Sequence, residues 1–368
     1  MEGHSVSSDR NFEQVEFSGS GGEYFKIWIV NVLLSIITLG IYSAWAKVRT
    51  QKYFHGHTTI SQTPFNYLAT PIQILKGRLI AFALFIVYSV ISQFVPEAAV
   101  LMLLVLLIAA PWLITQNIRF NLVNVQYGNV RFNFRSSYSD AFVAMVIPWL
   151  TIPLTLGLSF PWASKVMNHF IYNRISVADV ESVSTPETGS FYKAALIASL
   201  ALIGSAVLAS LVFGIWVDEI VSTAAESGSG SDNEMTDVPP GVGWQLGLFS
   251  FGSVALFMVG WMVSASLWQA LVRNHLWHVT QFPEVASLRS DVPLGAFAFV
   301  QVTNVLAILV TLGFAYPWAL VRKTRFLAQH SHVVLLEKAD QLRNIDPDEM
   351  NAIGEETAGM FDTDFSIV

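Results

Sequence analysis

Seven apolar stretches, none with an ionisable residue away from its ends, constrain this chain more than any other feature. They run about 24–45, 79–95, 98–115, 141–162, 191–217, 246–268 and 294–318. A bilayer core of roughly 30 Å needs about 20 apolar residues in helical form, so all seven are candidate membrane segments. Composition agrees. Of 368 residues, 53% are apolar and 13% charged, against about 25% charged in an ordinary soluble domain. The second and third stretches are joined by Pro96-Glu97 alone, which reads as a tight helical hairpin. Between the fifth and sixth lies an acidic Ser/Gly-rich segment, 218–245, which reads as a flexible loop. Proton-coupled carriers keep an ionisable group at mid-membrane depth, and the apolar stretches offer none. Cysteine is absent, which removes disulfide scaffolds and thiol chemistry.

The first, fourth and seventh stretches are copies of one another. Thr38-Leu39-Gly40-Ile41-Tyr42-Ser43-Ala44-Trp45-Ala46 recurs 117 positions on as Thr155-Leu156-Gly157-Leu158-Ser159-Phe160-Pro161-Trp162-Ala163. It recurs 273 positions beyond the first as Thr311-Leu312-Gly313-Phe314-Ala315-Tyr316-Pro317-Trp318-Ala319. Sharing T-L-G and W-A in all three copies is the signature of an internal repeat. A basic helix start follows each: Lys47, Arg49 and Lys52; Lys165; Arg322, Lys323 and Arg325. Gly followed by Pro reads as a helix break, because Pro lacks a donor and clashes with the preceding turn. The Thr hydroxyl is then placed to bond a freed carbonyl, with Trp at head-group depth. Two readings follow: a packing and anchoring corner, or a broken helix lining a pathway. Asn31 and Asn304 are repeat-equivalent amides within the membrane segments, replaced by Pro148 in the second copy. An amide in lipid must face protein, either bonding a neighbouring helix or lining a polar path.

Glu23-Tyr24-Phe25-Lys26, Asn31 and Thr38 through Arg49 together resemble the YjgN-like family of bacterial inner-membrane proteins. Asn121, Asn124, Tyr127-Gly128, Phe132-Asn133-Phe134-Arg135 and Pro317-Trp318-Ala319 fit it too, so the resemblance covers nearly the whole chain. It implies a bacterial cytoplasmic membrane, and it supplies no activity and no catalytic residues. The first copy departs from the other two by carrying Ala44 where they have Pro.

Charge decides between topologies. The net charge of −7 conceals an acidic arm, 1–23, the acidic segment within 218–245 and an acidic tail, 337–368. The remaining body is basic. With seven spans its bases divide between both faces. With four full spans and three re-entrant or interfacial motif segments (near 24–60, 141–177 and 294–333), they gather on one face, as the positive-inside rule requires. The expected fold is therefore an α-helical polytopic membrane protein with a threefold repeat, its membrane domain spanning 24–336 and both termini cytoplasmic. Seven spans is the alternative. Alternation in Val123, Val125, Tyr127 and then Val130, Phe132, Phe134 around Gly128-Asn129 is a β-hairpin signal. Similar runs at 57–60, 174–177 and 330–336 suggest a small cytoplasmic β layer.

Candidate chemistry is sparse. His55-Gly56-His57 and His330-Ser331-His332, read as extended strands, each place two imidazoles on one face. Without a carboxylate or a third ligand nearby, interfacial histidines are the reading set ahead of a metal site. No cofactor is expected, and no hydrolase or nucleotide motif occurs. Lys47, Arg49, Lys52, Arg322, Lys323 and Arg325 are candidates for contact with anionic lipid. Nucleic acid is not implied. The functional expectation is an uncoupled transport or lipid-handling path lined by the broken-helix motifs. Its alternative is a non-catalytic scaffold that holds a protein partner through the β layer or tail.

Overall fold

The structure is a computed structural model and describes residues 12–228, 242–336 and 339. The N-terminal arm up to residue 11, the centre of the acidic segment at 229–241 and the tail from 340 lie outside the described residues.

Each repeat copy leaves a strand, runs out as one helix, turns, and comes back as a second helix into the next strand. In the first copy β1 (Glu13–Gln14) and β2 (Glu16–Phe17) lead to α1 (Gly21–Ile37), α2 (Ser43–Gly56) and β3 (Thr58–Ile60). Next come β4 (Thr63–Tyr67), the helices α3 (Pro71–Phe94) and α4 (Pro96–Val123), and the hairpin β5 (Val125–Tyr127) and β6 (Val130–Phe134). The second copy continues as α5 (Tyr138–Leu154), α6 (Phe160–Tyr172), β7 (Ile175–Val177), β8 (Val180–Glu181) and β9 (Val183–Ser184). Helices α7 (Thr188–Gly228) and α8 (Val242–Val279) form a second long pair, followed by β10 (Thr280–Phe282) and β11 (Ala286–Ser290). The third copy comprises α9 (Leu294–Val310), α10 (Tyr316–Gln329) and β12 (Ser331–Leu335).

Local chemistry sets these boundaries. Ser20 and Ser137, 117 positions apart, cap α1 and α5 by accepting from the amides of Glu23 and Asp140, each at 3.2 Å. Thr70 and Gln73 form a reciprocal capping box at α3, with Pro71 in the first turn where it forfeits no helical bond. Pro96 starts α4 in the same way, so the chain reverses between two long helices within a single residue, Val95.

Four helices, 71–94, 96–123, 188–219 and 247–279, are long and apolar enough to cross a membrane. Only 6% to 22% of each apolar window is buried within the chain, so most of that surface faces outward. The stretches 24–45, 141–162 and 294–318 are each broken about two-thirds of the way along, and their first helices have 17 residues, about 25 Å. The segment 218–245 is also less of a loop than composition suggested: α7 continues to Gly228 and α8 resumes at Val242.

The strands form a closed circuit. β1 lies on β12, then β11, β10 and β9 follow; β2 lies on β3, then β4, β5, β6, β7 and β8, with every pairing antiparallel. Only Val15 separates β1 from β2, and only Ser182 separates β8 from β9. Their amides bridge the joints, Val15 to the Ser331 carbonyl at 2.9 Å and Ser182 to that of Ile175 at 2.8 Å. Closure pairs strands that would otherwise present open edges. Val15, Phe17, Ile60, Phe134, Ile175, Phe282 and Val333 meet in one apolar core, so strands from all around the circuit share an interior.

The helices close as well. Each packs on its sequence neighbours, and α10 returns to α1. Phe25 lies 4.9 Å from Trp318 there, and Trp28 lies 6.3 Å from Tyr316 between ring centroids. Gly21 lets α1 approach the Trp318 indole so closely that a Cβ would overlap it.

Candidate functional site

The break between paired helices is built identically three times. Leu39, Leu156 and Leu312 have φ of 50°, 51° and 52°, and the glycines after them 92°, 88° and 95°. Gly40 N donates to the carbonyl five residues back, Ser35, at 2.7 Å, and Leu39 N to that of Ile36 at 3.1 Å. Gly157 to Ile152 and Gly313 to Ile308 repeat this at 2.8 and 2.7 Å. This is the two-bond helix terminus that a left-handed residue makes possible. The left-handed position is filled by leucine rather than glycine, at a steric cost of about 1–2 kcal/mol.

The threonine before each leucine ties the two helices together. Thr38 Oγ1 donates to the Leu34 carbonyl at 2.7 Å and accepts from the Tyr42 amide at 2.9 Å. Thr155 does the same with Thr151 and Ser159, and Thr311 with Ala307 and Ala315. The prolines act differently from the helix breakers the sequence suggested. Pro161 and Pro317 sit in the first turn of α6 and α10, where no amide partner is lost. They start the returning helix, and Ala44 serves at the same place in α2, fully buried. Trp45 stacks on Tyr42 with centroids 6.1 Å apart, Trp162 is half-buried, and Trp318 belongs to the α1–α10 seam.

The tips point outward. Leu39, Leu156 and Leu312 are 94%, 94% and 90% exposed, flanked by the exposed apolar side chains of Ile37, Leu154, Leu158 and Val310. Sequence reading passed over these leucines because Leu is a strong helix former. Their recurrence between Thr and Gly in every copy was the available signal.

Asn31 and Asn304 are buried and serve the helix pair itself. Asn304 Nδ2 donates to the Ala319 carbonyl at 3.0 Å, and Asn31 Nδ2 to that of Ala46 at 3.4 Å. Arg322 donates to Asn304 Oδ1 at 3.1 Å and to Thr303 Oγ1 at 2.7 Å. Arg49 donates to Asn31 Oδ1 at 3.4 Å and to the Tyr42 hydroxyl at 3.1 Å. The second copy has Pro148 and Val166 at these two places, so amide and guanidinium are present or absent together. Arg325 donates to the Gly19 carbonyl at 2.6 Å. Of the six bases singled out for lipid, Arg49, Arg322 and Arg325 thus have partners inside the chain. Lys47 also has one, Lys52 is exposed, and Lys323 is half-buried.

The histidine pairs do not lie on strands as the sequence suggested. His55 is within the last turn of α2, His57 caps that helix, and His330 caps α10; only His332 is in a strand. His57 Nδ1 donates to the Tyr53 carbonyl at 2.7 Å and its ring lies 4.3 Å from that of Tyr53. His330 repeats this on Phe326, at 2.8 and 4.5 Å. Both imidazoles finish a helix by taking one of its last carbonyls. Among the described residues no cluster of three or more His, Cys, Asp or Glu is placed to hold a metal.

The family described as "Bacterial protein of unknown function (DUF898)" matches residues 12–360. The chain belongs to this family. Among curated relatives of this DUF898 chain, the inner membrane protein YjgN of Salmonella typhimurium is 26% identical over 212 residues, 57% of this chain and 49% of that one. YjgN of Escherichia coli O157:H7 is 29% identical over 154 residues, and YjgN of Escherichia coli K12 29% over 153; each alignment covers 41% of this chain and 38% of the relative. The DUF898 chain therefore matches half or less of the length of these relatives. No solved structure matches it.

Proposed function

We propose that this protein handles phospholipid in the bacterial cytoplasmic membrane, crossing it four times and dipping three short hairpins into the cytoplasmic leaflet. The observation that carries the reading is the set of three tips. Each holds a leucine in a disfavoured backbone region with its side chain almost wholly outside the protein. Packing within the chain does not repay that cost, whereas transfer into acyl chains does, by about 1.5–3 kcal/mol for a fully buried leucine. Every motif pair begins and ends at the β layer, as do the two pairs of long helices, which puts the body's bases on one face. A water-lined path along the motif amides has less support, since Asn31 and Asn304 are spent on Ala46 and Ala319. Three wedges seated in one leaflet displace its chains and thin it, which lowers the barrier for polar head groups.

The test is phospholipid exchange between leaflets in liposomes containing the purified chain, read by dithionite quenching of a fluorescent phosphatidylglycerol. Quenching beyond the outer-leaflet signal, lost when Leu39, Leu156 and Leu312 are all replaced by Asp, is the expected result. Quenching equal to that of protein-free liposomes would sink lipid handling and leave the tips as anchors. A scaffold role then becomes the better reading.

A further inference from the structure

Among the described residues Arg174 holds Asp140 and Arg289 holds Asp291, both at 2.7 Å. Arg273 has no such acidic partner. It sits six residues before the end of α8, about 9 Å along the helix from the β layer. Its Nη2 donates to Ser331 Oγ at 3.0 Å, and the guanidinium lies 4.4 Å from the Trp277 ring centroid. Nε is shut off from solvent without an acceptor. Lys323 of α10 is half-buried and lies six residues before the end of its helix, as Arg273 does in α8. One turn on, Leu327 packs with Ala270 of α8 in one apolar cluster. Burial first, and Arg273 second, hold the Lys323 ammonium below the ordinary lysine range. Among the described residues neither cation has an acidic partner.

Two like charges withdrawn from water without a counter-ion are costly, and the guanidinium cannot escape by losing its proton. The repeat shows that this corner does not need them to fold. At the other corner, 156 positions earlier, Arg273, Trp277, Lys323 and Ser331 correspond to Asn117, Asn121, Met167 and Ile175. There the same elements pack with neutral side chains. We propose that Arg273 and Lys323, with Ser331, form a binding site for a phosphate oxyanion, the group common to anionic phospholipid heads and free phosphate. Arg and Lys suit it as fork and point charge, and the distance from the β layer is that of head groups in the placement proposed above. Only the lipid source rests on that placement; the site itself does not.

The experiment is thermal unfolding of the full chain in detergent at constant ionic strength. The probes are inorganic phosphate against chloride, and short-chain phosphatidylglycerol against phosphatidylcholine. A saturable rise in Tm with a phosphate-bearing anion over its control is expected. Lys323→Gln should weaken the apparent affinity about tenfold, or 1.4 kcal/mol, while Arg289→Gln leaves it unchanged. Arg273→Lys, which keeps the charge and loses the fork, should fall between. A rise with phosphatidylglycerol alone identifies a lipid head as the ligand; a rise with phosphate as well identifies the free anion as sufficient. No rise over the controls, or an undiminished response in Lys323→Gln, overturns the site. Because the readout is binding, a negative lipid-exchange result leaves it standing.

Discussion

Arg322 donates to the amide oxygen of Asn304 at 3.1 Å while that amide's nitrogen holds the Ala319 carbonyl at 3.0 Å, so one side chain clasps α9 to α10 and orients a cation. The second copy has lost both residues together and kept the fold, with Pro148 and Val166 in their places. The pair therefore behaves as a unit. Asn304→Leu alone should cost about 1–2 kcal/mol by leaving a buried carbonyl without its donor. Adding Arg322→Val should cost less than the sum of the single changes, with a coupling of about 0.5–3 kcal/mol. Thermal unfolding of the four proteins in one detergent gives the cycle; strict additivity would show that the two side chains act independently.

The strained leucines make an unusual prediction about glycine. In a helix Leu→Gly is destabilising, but at φ near 50° glycine removes the clash that leucine pays for. Leu156→Gly should leave stability in detergent unchanged or raise it by up to about 1 kcal/mol. Leu150→Gly, within α5, should lower it by about 1 kcal/mol. Equal losses at both positions would show that the left-handed turn at Leu156 is not what sets its energetics. If the tip is seated in acyl chains, the Leu156→Gly protein should gain less Tm than the wild type on transfer from detergent to liposomes.

The limits of the sequence are clear at particular residues. Long uncharged stretches mark 79–115 as a helical hairpin because nothing else buries that much apolar chain. Gly128-Asn129 between alternating residues marks β5 and β6, since that turn demands a residue that tolerates positive φ. The motif break was legible as a break, yet its mechanism was not. Propensity directs attention to Gly and Pro, whereas a leucine takes the left-handed place and Pro starts the next helix. Ring closure was out of reach for a different reason. Residues 13–17 pair with β12 at one end and with β3 at the other, and two-residue strands have no periodicity to detect. Arg273 escaped notice because a base near a helix end looks like an ordinary interface residue. Its lack of an acidic partner is visible only when Ser331 and Lys323 arrive from elsewhere in the chain.

The α1–α10 seam should be sensitive to a single methyl group. Gly21 lies against the Trp318 indole, which itself packs on Phe25. Gly21→Ala forces that indole to move, at about 1–3 kcal/mol for overpacking. Gly22→Ala, with open space around its Cβ, should be neutral or slightly stabilising in a helix. Trp318→Leu should rescue Gly21→Ala by freeing the space. A loss in Gly21→Ala that Trp318→Leu does not recover would mean the seam closes some other way.

Acid should weaken this fold through His55. Its ring stacks on Tyr67 with centroids 5.5 Å apart, and Nδ1 donates to the Gln51 carbonyl at 2.9 Å. Burial holds its pKa below the ordinary 6.5. His169 is lowered too, by burial first and by Lys165 second. In the unfolded chain both imidazoles take up a proton near pH 6.5, while in the folded chain they resist until the pH is lower. The unfolded state thus binds more protons in that window, and stability falls as pH drops from neutrality through 6.5 toward the depressed values. Each histidine contributes at most about 1.4 kcal/mol per pH unit. Comparing Tm at pH 7.5 and 5.5, the wild type should lose stability on acidification. His55→Gln should lose less, and His55→Gln with His169→Gln least of all. An acid-induced loss that is the same in all three proteins would assign it to other titrating groups and rule out these two histidines as its source.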